Sequence, residues 1–172
     1  MSAKVIILRG NSGSGKSTIS NALREILDKN ILYIEQDMLK IYLTKIKNDE
    51  NFMAKRNSLI QGSILTLIDW GCNEFDYIII DGIFKSNHYT NMFNIIKEKF
   101  SYVYAYYFDL SFEETVKRHQ TRAKSKEFDA DDMSEWFREK DYLTQIKEKI
   151  ITKEQSKEEI VAMILADIGE SI

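Results

Sequence analysis

Proline is absent from the 172 residues, cysteine occurs once, histidine twice and glycine only seven times. A chain so poor in proline and glycine holds no linker-like or low-complexity stretch, and no internal repeat is visible in it. The lone cysteine, Cys72, cannot close an internal disulfide and reads as a small helix-end or core residue. An excess of one charge sign is also missing. The net charge is −3 and the pI about 5.5, so the basic field of a nucleic-acid binder is lacking and a long polynucleotide partner is not expected. Long hydrophobic runs are missing too: Val5–Leu8 is far too short for a signal-peptide core or a membrane span. The expectation is a cytoplasmic protein with no membrane partner. What is present is a hydrophobic fraction of 44% and an aromatic fraction of 12%, enough for a sizeable core in one domain spanning 1–172.

Apolar runs and helical periodicity alternate along the chain. KVIILRG, from Lys4 to Gly10, has the continuous apolar character of a strand buried on both faces. Ile19, Leu23, Ile26 and Leu27 then recur at helical spacing between about Lys16 and Lys29. ILYIE is a second strand, QDMLKIYLTKI begins a helix, and a long helix from Phe52 to Trp70 carries Leu59, Ile60, Ile64, Leu67 and Ile68, with Gly71 ending it. DYIIID is a third strand, Ser86 is a candidate cap for a helix to Phe100, and YVYAYYFDL is a fourth strand. Ser111 with Glu114, and Ser156 with Glu159, have the spacing of capping boxes. KIIT is a short fifth strand before a last helix bearing Ile160, Val161, Ile164, Leu165 and Ile168, stopped by Gly169. This regular order predicts an α/β fold with a doubly wound parallel sheet, whose ligands bind beyond the carboxyl ends of the strands.

At the first such end stands GNSGSGKS, a match to G-x-x-x-x-G-K-[ST] from Gly10 to Ser17, followed by Thr18. Gly10, Gly13 and Gly15 let the loop through Asn11, Ser12 and Ser14 turn its N–H groups toward phosphate oxygens, aided by the following helix dipole. Lys16 can reach the β- and γ-phosphates and the Ser17 hydroxyl can ligate Mg²⁺. The strand and helix around the motif supply its confirming context, so a nucleoside triphosphate is the expected ligand. A Ras-type GTPase would need D-x-x-G after the third strand, where DGIF has Phe84, and no N-K-x-D occurs. An ABC-type ATPase would need a signature segment and a longer chain.

The remaining strand ends favour a small kinase. Asp37, after the second strand, stands where a carboxylate could take a proton from an attacking hydroxyl, although acids also suit a helix N-terminus. Asp81 ends the third strand as a Walker-B acid does, placed to hold Mg²⁺ or to orient the attacking group. Arg118 and Arg122 share a helical face, with Lys124 and Lys126 beyond them. They read as a lid, over about 118–141, whose cations meet the transferring phosphoryl group; the alternative is a solvated face on which Glu114 pairs with Arg118.

In this order, GNSGSGKS, EQDMLK, IIIDGI and FDLSFEETVKRHQTRAKSKEF…WFREKDYL resemble the small P-loop kinases of bacteria. That group is similar to the nucleoside and nucleotide kinases, gluconate kinases, chloramphenicol phosphotransferases, zeta toxins and polynucleotide kinase. The match covers nearly the whole chain and lies nearest an uncharacterised kinase-like branch. The resemblance implies a five-stranded parallel P-loop NTPase sheet, order 2-3-1-4-5, between helices and under a helical lid. It implies ATP and Mg²⁺ as cofactors, Asp37 as the base, Arg118 stacking on the nucleobase and Arg122 meeting phosphates. The loop KEQS would lie against the base. Relatives often carry an arginine shortly after the strand-two acid; Lys40 here is a point charge in its place.

The acceptor pocket is expected to draw on Lys40, Arg56, Asn57, Gln61, Phe84 and Lys85, with His88 and Tyr89 nearby and Trp136 and Arg138 clamping the far end of the lid. Two classes of function follow. One is transfer of the γ-phosphate to a hydroxyl of a small molecule such as a nucleoside, sugar or antibiotic, or of a nucleic-acid 5′ end. The other is a nucleotide-binding switch without a phosphoacceptor.

Overall fold

The computed structural model describes residues 3–42, 52–121 and 129–171. Its centre is a parallel sheet of β1 (Lys4–Gly10), β2 (Ile31–Glu35), β3 (Tyr77–Gly82), β4 (Val103–Phe108) and β5 (Glu148–Ile151) in the order β2-β3-β1-β4-β5. Both the parallel sense and the strand order agree with expectation.

Alternation along each buried strand builds two cores. Val5, Ile7, Ile78 and Ile80 face one side, where α3 (Phe52–Gly71) and α4 (Ser86–Lys99) pack; Ile6, Leu8, Tyr77 and Ile79 face the other, covered by α1 (Lys16–Ile26) and α7 (Lys157–Ile168). Because both faces are covered, β1 and β3 are apolar nearly throughout. On α7 all five expected apolar residues are buried. On α3 the buried stripe is narrower: Ile60, Ile64 and Ile68 fall four apart on the core side, whereas Leu59, a residue earlier, is turned outward.

Helix ends depart from expectation in three places. α1 stops at Ile26, short of Lys29, with Leu27 already extended. Ser86 is not a cap: Lys85 holds the N-cap position of α4 without a side-chain bond, and the Ser86 hydroxyl donates to Asp141 Oδ1 at 2.6 Å instead. The N-terminus of α5 (Phe112–Gln120) has half a capping box, with Ser111 accepting from the Glu114 N–H, whereas Ser156 and Glu159 complete theirs on α7. Within the stretch 118–141, expected to be a lid, lies α6 (Ala130–Trp136), started by a capping box between Asp129 and Asp132. α2 (Gln36–Tyr42) follows β2 directly. Cys72 lies just past α3, partly buried against the core, and its thiol donates to the Asp69 carbonyl. Among the described residues no helix is long and apolar enough to cross a membrane.

Candidate active site

β1 is the switch strand of the sheet, with β3 on one side and β4 on the other, so a crevice opens at its carboxyl end. The loop Asn11–Gly15 rises there and leads into α1, whose N-cap is Gly15. α1 has no side-chain cap and no acid in its first turn, which leaves its positive end for an anion. Gly13 is required on two counts: its φ is 79°, and a Cβ there would lie 2.5 Å from the Thr115 carbonyl oxygen. Lys16 folds back over the loop, Nζ donating to the Asn11 carbonyl (2.9 Å) and to Ser14 Oγ (3.3 Å). Arg118 crosses to the same loop from α5. Its Nη1 donates to the Ser14 carbonyl at 3.3 Å while its Nε donates to Glu114 Oε1 at 2.7 Å. The Glu114 pair that the sequence allowed is formed, and the same guanidinium also reaches the Ser14 carbonyl. Arg122, Lys124 and Lys126 lie outside the described residues.

A cavity of about 480 Å³ is lined by Ser12, Gly13, Lys16 and Ser17, by Glu35, Asp37 and Asp81, and by Lys40, Arg56, Asn57 and Lys85, a size suited to a small molecule. Asp81 is buried at the end of β3, and its Oδ2 accepts from Ser20 Oγ (3.1 Å) and Tyr33 Oη (3.2 Å). Burial, followed by the Asp81 charge, pushes the Tyr33 phenol far up, so it remains a donor. Asp37 lines the cavity from the first turn of α2 with its side chain 52% exposed, and Oδ1 accepts from Lys40 Nζ at 2.8 Å. Gln61 does not line the cavity; it ties α3 to α4 by donating to the His88 carbonyl at 3.0 Å. Thr18 is exposed on α1. Phe84 borders the cavity, but its ring is fully buried in the core, edge-on to Tyr89 and Phe93. It is floor, with no face open to stack on a substrate.

Several residues and contacts that shape the site were not read from the sequence, among them Gln36, His119, Tyr107 and the bonds between Asn11 and Arg138. Gln36, the residue between β2 and Asp37, turns inward; its Oε1 accepts from the Ile83 N–H (3.0 Å) and its Nε2 donates to Tyr89 Oη (2.7 Å). His119 is buried and lines the cavity beside Trp136. Asn11 exchanges two hydrogen bonds with the Arg138 backbone, donating at 2.8 Å and accepting at 2.9 Å, which pins the chain after α6 to the phosphate loop. Tyr107 joins this clamp: its hydroxyl donates to the Arg138 carbonyl and accepts from the Asp141 N–H, and burial pushes its pKa up to about 12.

The most heavily bonded of these residues is Arg9, which is wholly buried. Its guanidinium donates to Asp141 Oδ2 (3.0 Å), to Glu148 Oε1 (2.8 Å) and, through Nε and Nη2, to the Phe84 carbonyl (3.1 and 2.7 Å). Phe93 and Tyr107 lie on it at 5.7 and 5.4 Å. Phe84 has φ 36°, a left-handed conformation that an aromatic residue adopts only when its surroundings impose it. Arg9 holds its carbonyl and Gln36 its N–H side, at 3.5 Å from the Phe84 nitrogen. Gly82 makes room: a Cβ there would meet the Phe84 ring at 2.5 Å and the Gln36 Cβ at 2.7 Å. A signal for this network stands in the sequence, since a charged residue inside a strand buried on both faces must be paired.

Solved structures share this arrangement of strands and helices. The APS kinase CysC of Mycobacterium tuberculosis, in complex with AMPPNP and APS, is 15% identical, with 98% of this chain and 99% of that one covered at a TM-score of 0.69. A sugar kinase from Janibacter sp. HTCC2649 is 14% identical over 98% and 96% of the two chains, at a TM-score of 0.63. The tunicamycin resistance protein of Deinococcus radiodurans is 12% identical over 98% of each, at 0.64. At these identities the likeness establishes the fold. No functionally curated protein matches the chain. The phosphate-binding loop, strands β2 to β4 and Asp81 fall within residues 5–145, which match the family model described as an AAA domain, and the chain belongs to that family of P-loop proteins.

Proposed function

We propose that the chain is an ATP- and Mg²⁺-dependent phosphotransferase that moves the γ-phosphoryl group to a hydroxyl of a small molecule such as a nucleoside, sugar or antibiotic. The observation that carries this reading is one cavity lined together by the phosphate loop (Lys16, Ser17), a buried strand-end acid (Asp81), a second carboxylate (Asp37) and further polar side chains from α2, α3 and the start of α4. A protein that only bound nucleotide would need no second carboxylate and no further room beyond the phosphates.

Ser17 and Asp81 line the same cavity. A hydroxyl and a carboxylate fit Mg²⁺, which usually takes few protein ligands and completes its octahedron with phosphate oxygens and water. Bound there, it would neutralise charge on the β- and γ-phosphate oxygens. The protein's own part is positioning and proton transfer. Lys16 and the N-terminus of α1 hold the phosphates, and Arg118 fastens α5 to the loop. Arg122 is assigned to the transferring group by its four-residue spacing from Arg118. As the acceptor oxygen bonds to the γ-phosphorus and the bond to the bridging oxygen breaks, Asp37 takes the hydroxyl proton and ADP leaves.

Mg²⁺·ATP at 100 Kd is expected to stabilise the fold by about 2.7 kcal/mol through mass action, seen as a rise in melting temperature. Lys16→Ala should remove most of that rise. ADP formation across nucleosides, sugars and amphenicol- or aminoglycoside-like acceptors then tests transfer. A melting temperature indifferent to saturating Mg²⁺·ATP would remove the kinase reading; nucleotide binding without turnover on any acceptor would favour the switch.

A further inference from the structure

The charged side chains that line the cavity do not balance: Lys16, Lys40, Arg56 and Lys85 stand against three carboxylates, Glu35, Asp37 and Asp81. Lys85 lies near enough to Lys40 to be affected by its charge, and Arg56 and Asp37 both act on Tyr89. Asp37 already accepts from Lys40 at 2.8 Å. Neither Arg56 nor Lys85 has an ion pair among the described residues. A chain with a net charge of −3 thus lines this one cavity with an excess of cations.

Each of the two is held in a way that favours a ligand. Arg56 has a buried Nε–H with no hydrogen-bond partner among the described residues, while its guanidinium lies over the Phe52 ring at 5.3 Å. A buried charged donor left unsatisfied is costly, and a guanidinium fork matches an oxyanion in two parallel hydrogen bonds. Lys85 follows the strained Phe84, whose carbonyl Arg9 fixes, so its backbone is set rigidly at the start of α4. Burial, then the charges of Arg138 and Lys40, lower the Lys85 pKa despite Asp141 nearby. An anion in the cavity would relieve that repulsion.

Resting on the kinase reading above, we propose that the acceptor carries an oxyanion group (phosphate, sulfate or carboxylate) beside its hydroxyl. Arg56 and Lys85 hold that group, with Lys40 at its edge. The arrangement also links binding to chemistry. An anion that draws Lys40 toward it loosens the Lys40–Asp37 pair and so weakens the hold of Lys40 on the Asp37 carboxylate. A neutral acceptor would leave that pair closed.

The test uses the full chain saturated with Mg²⁺·AMPPNP, so that the phosphate loop is filled, and titrates in inorganic phosphate or sulfate against chloride at equal ionic strength. The native protein should show a saturable rise in melting temperature. The double variant Arg56→Gln/Lys85→Gln should bind the anion about 10–100-fold more weakly, the span for lost hydrogen bonds to a charged group, with AMPPNP affinity within about twofold of native. Lys85→Gln alone, at a helix N-cap and away from the core, should weaken it several-fold and serves if the double variant does not fold. A native protein with no saturable phase, or variants with an unchanged one, would overturn the proposal. So would a loss of AMPPNP affinity in the variants, which would assign these cations to the nucleotide. A native chain that AMPPNP itself fails to stabilise would instead remove the underlying kinase reading.

Discussion

Asp37→Asn is expected to keep nearly native Mg²⁺·ATP binding while kcat on an accepted substrate falls by roughly 10²–10⁴-fold, the usual span for a positioned acid or base. The substitution preserves size and much of the hydrogen bonding but removes the proton acceptor. Phosphoryl transfer has a loose transition state, so the base need not be strong; it has to lie within reach of the hydroxyl. The side chain is half-exposed, its i, i+3 pair with Lys40 is worth about 0.2–1 kcal/mol, and an amide can keep accepting where the carboxylate did. Folding stability should therefore hardly change, and a fall in turnover reports chemistry. Single-turnover and steady-state rates, with ATP affinity measured separately, check the split. Turnover equal to native would remove Asp37 as the base and leave Asp81 as the candidate. Loss of ATP binding would instead place Asp37 at the metal.

Arg9→Met should be the most destabilising single change in the region of the site. It leaves the Asp141 and Glu148 carboxylates without their shared partner, and removing one member of a buried pair costs about 3–5 kcal/mol. Domains are stable by only about 5–15 kcal/mol in total. Denaturant unfolding measures the loss. Arg9→Lys should rescue little, because one ammonium cannot replace a planar fork that reaches Asp141, Glu148 and the Phe84 carbonyl together. Combining Arg9→Met with Asp141→Asn and Glu148→Gln should recover part of the loss, since no buried charge is then unpaired. A cost below about 1 kcal/mol for Arg9→Met would show that the network holds the loop without contributing to stability.

Local patterns in the chain carried the fold far. The strands lie where continuous apolar runs put them, because a strand covered on both faces must be apolar along its length. β2 spans Ile31–Glu35, and β5 is one residue earlier than the KIIT run. The Ser156–Glu159 box formed because both bonds are made within one turn. Ser86 failed as a cap for the opposite reason: a partner distant in sequence, Asp141, claimed its hydroxyl. The Asp129–Asp132 box was equally local and went unread because α6 is short and has little apolar periodicity to announce it.

By itself the sequence determined what adjacent residues decide: strand, loop and helix around Gly10–Ser17, an acid at the end of β3, and the crossover order that sends ligands to one edge of the sheet. The tertiary structure decided which side chains meet. Arg9 finds its carboxylates 132 and 139 residues away, and Asn11 finds the Arg138 backbone 127 residues away. Gln36, and not its neighbour Asp37, turned inward because two backbone N–H groups after β3 needed an acceptor. Arg56 and Lys85 share a cavity wall only because α3 and α4 pack side by side on the same face of the sheet. Side chains at such separations are brought together by burial of whole faces, a drive that is proportional to area and blind to sequence distance, so no local pattern records the meeting.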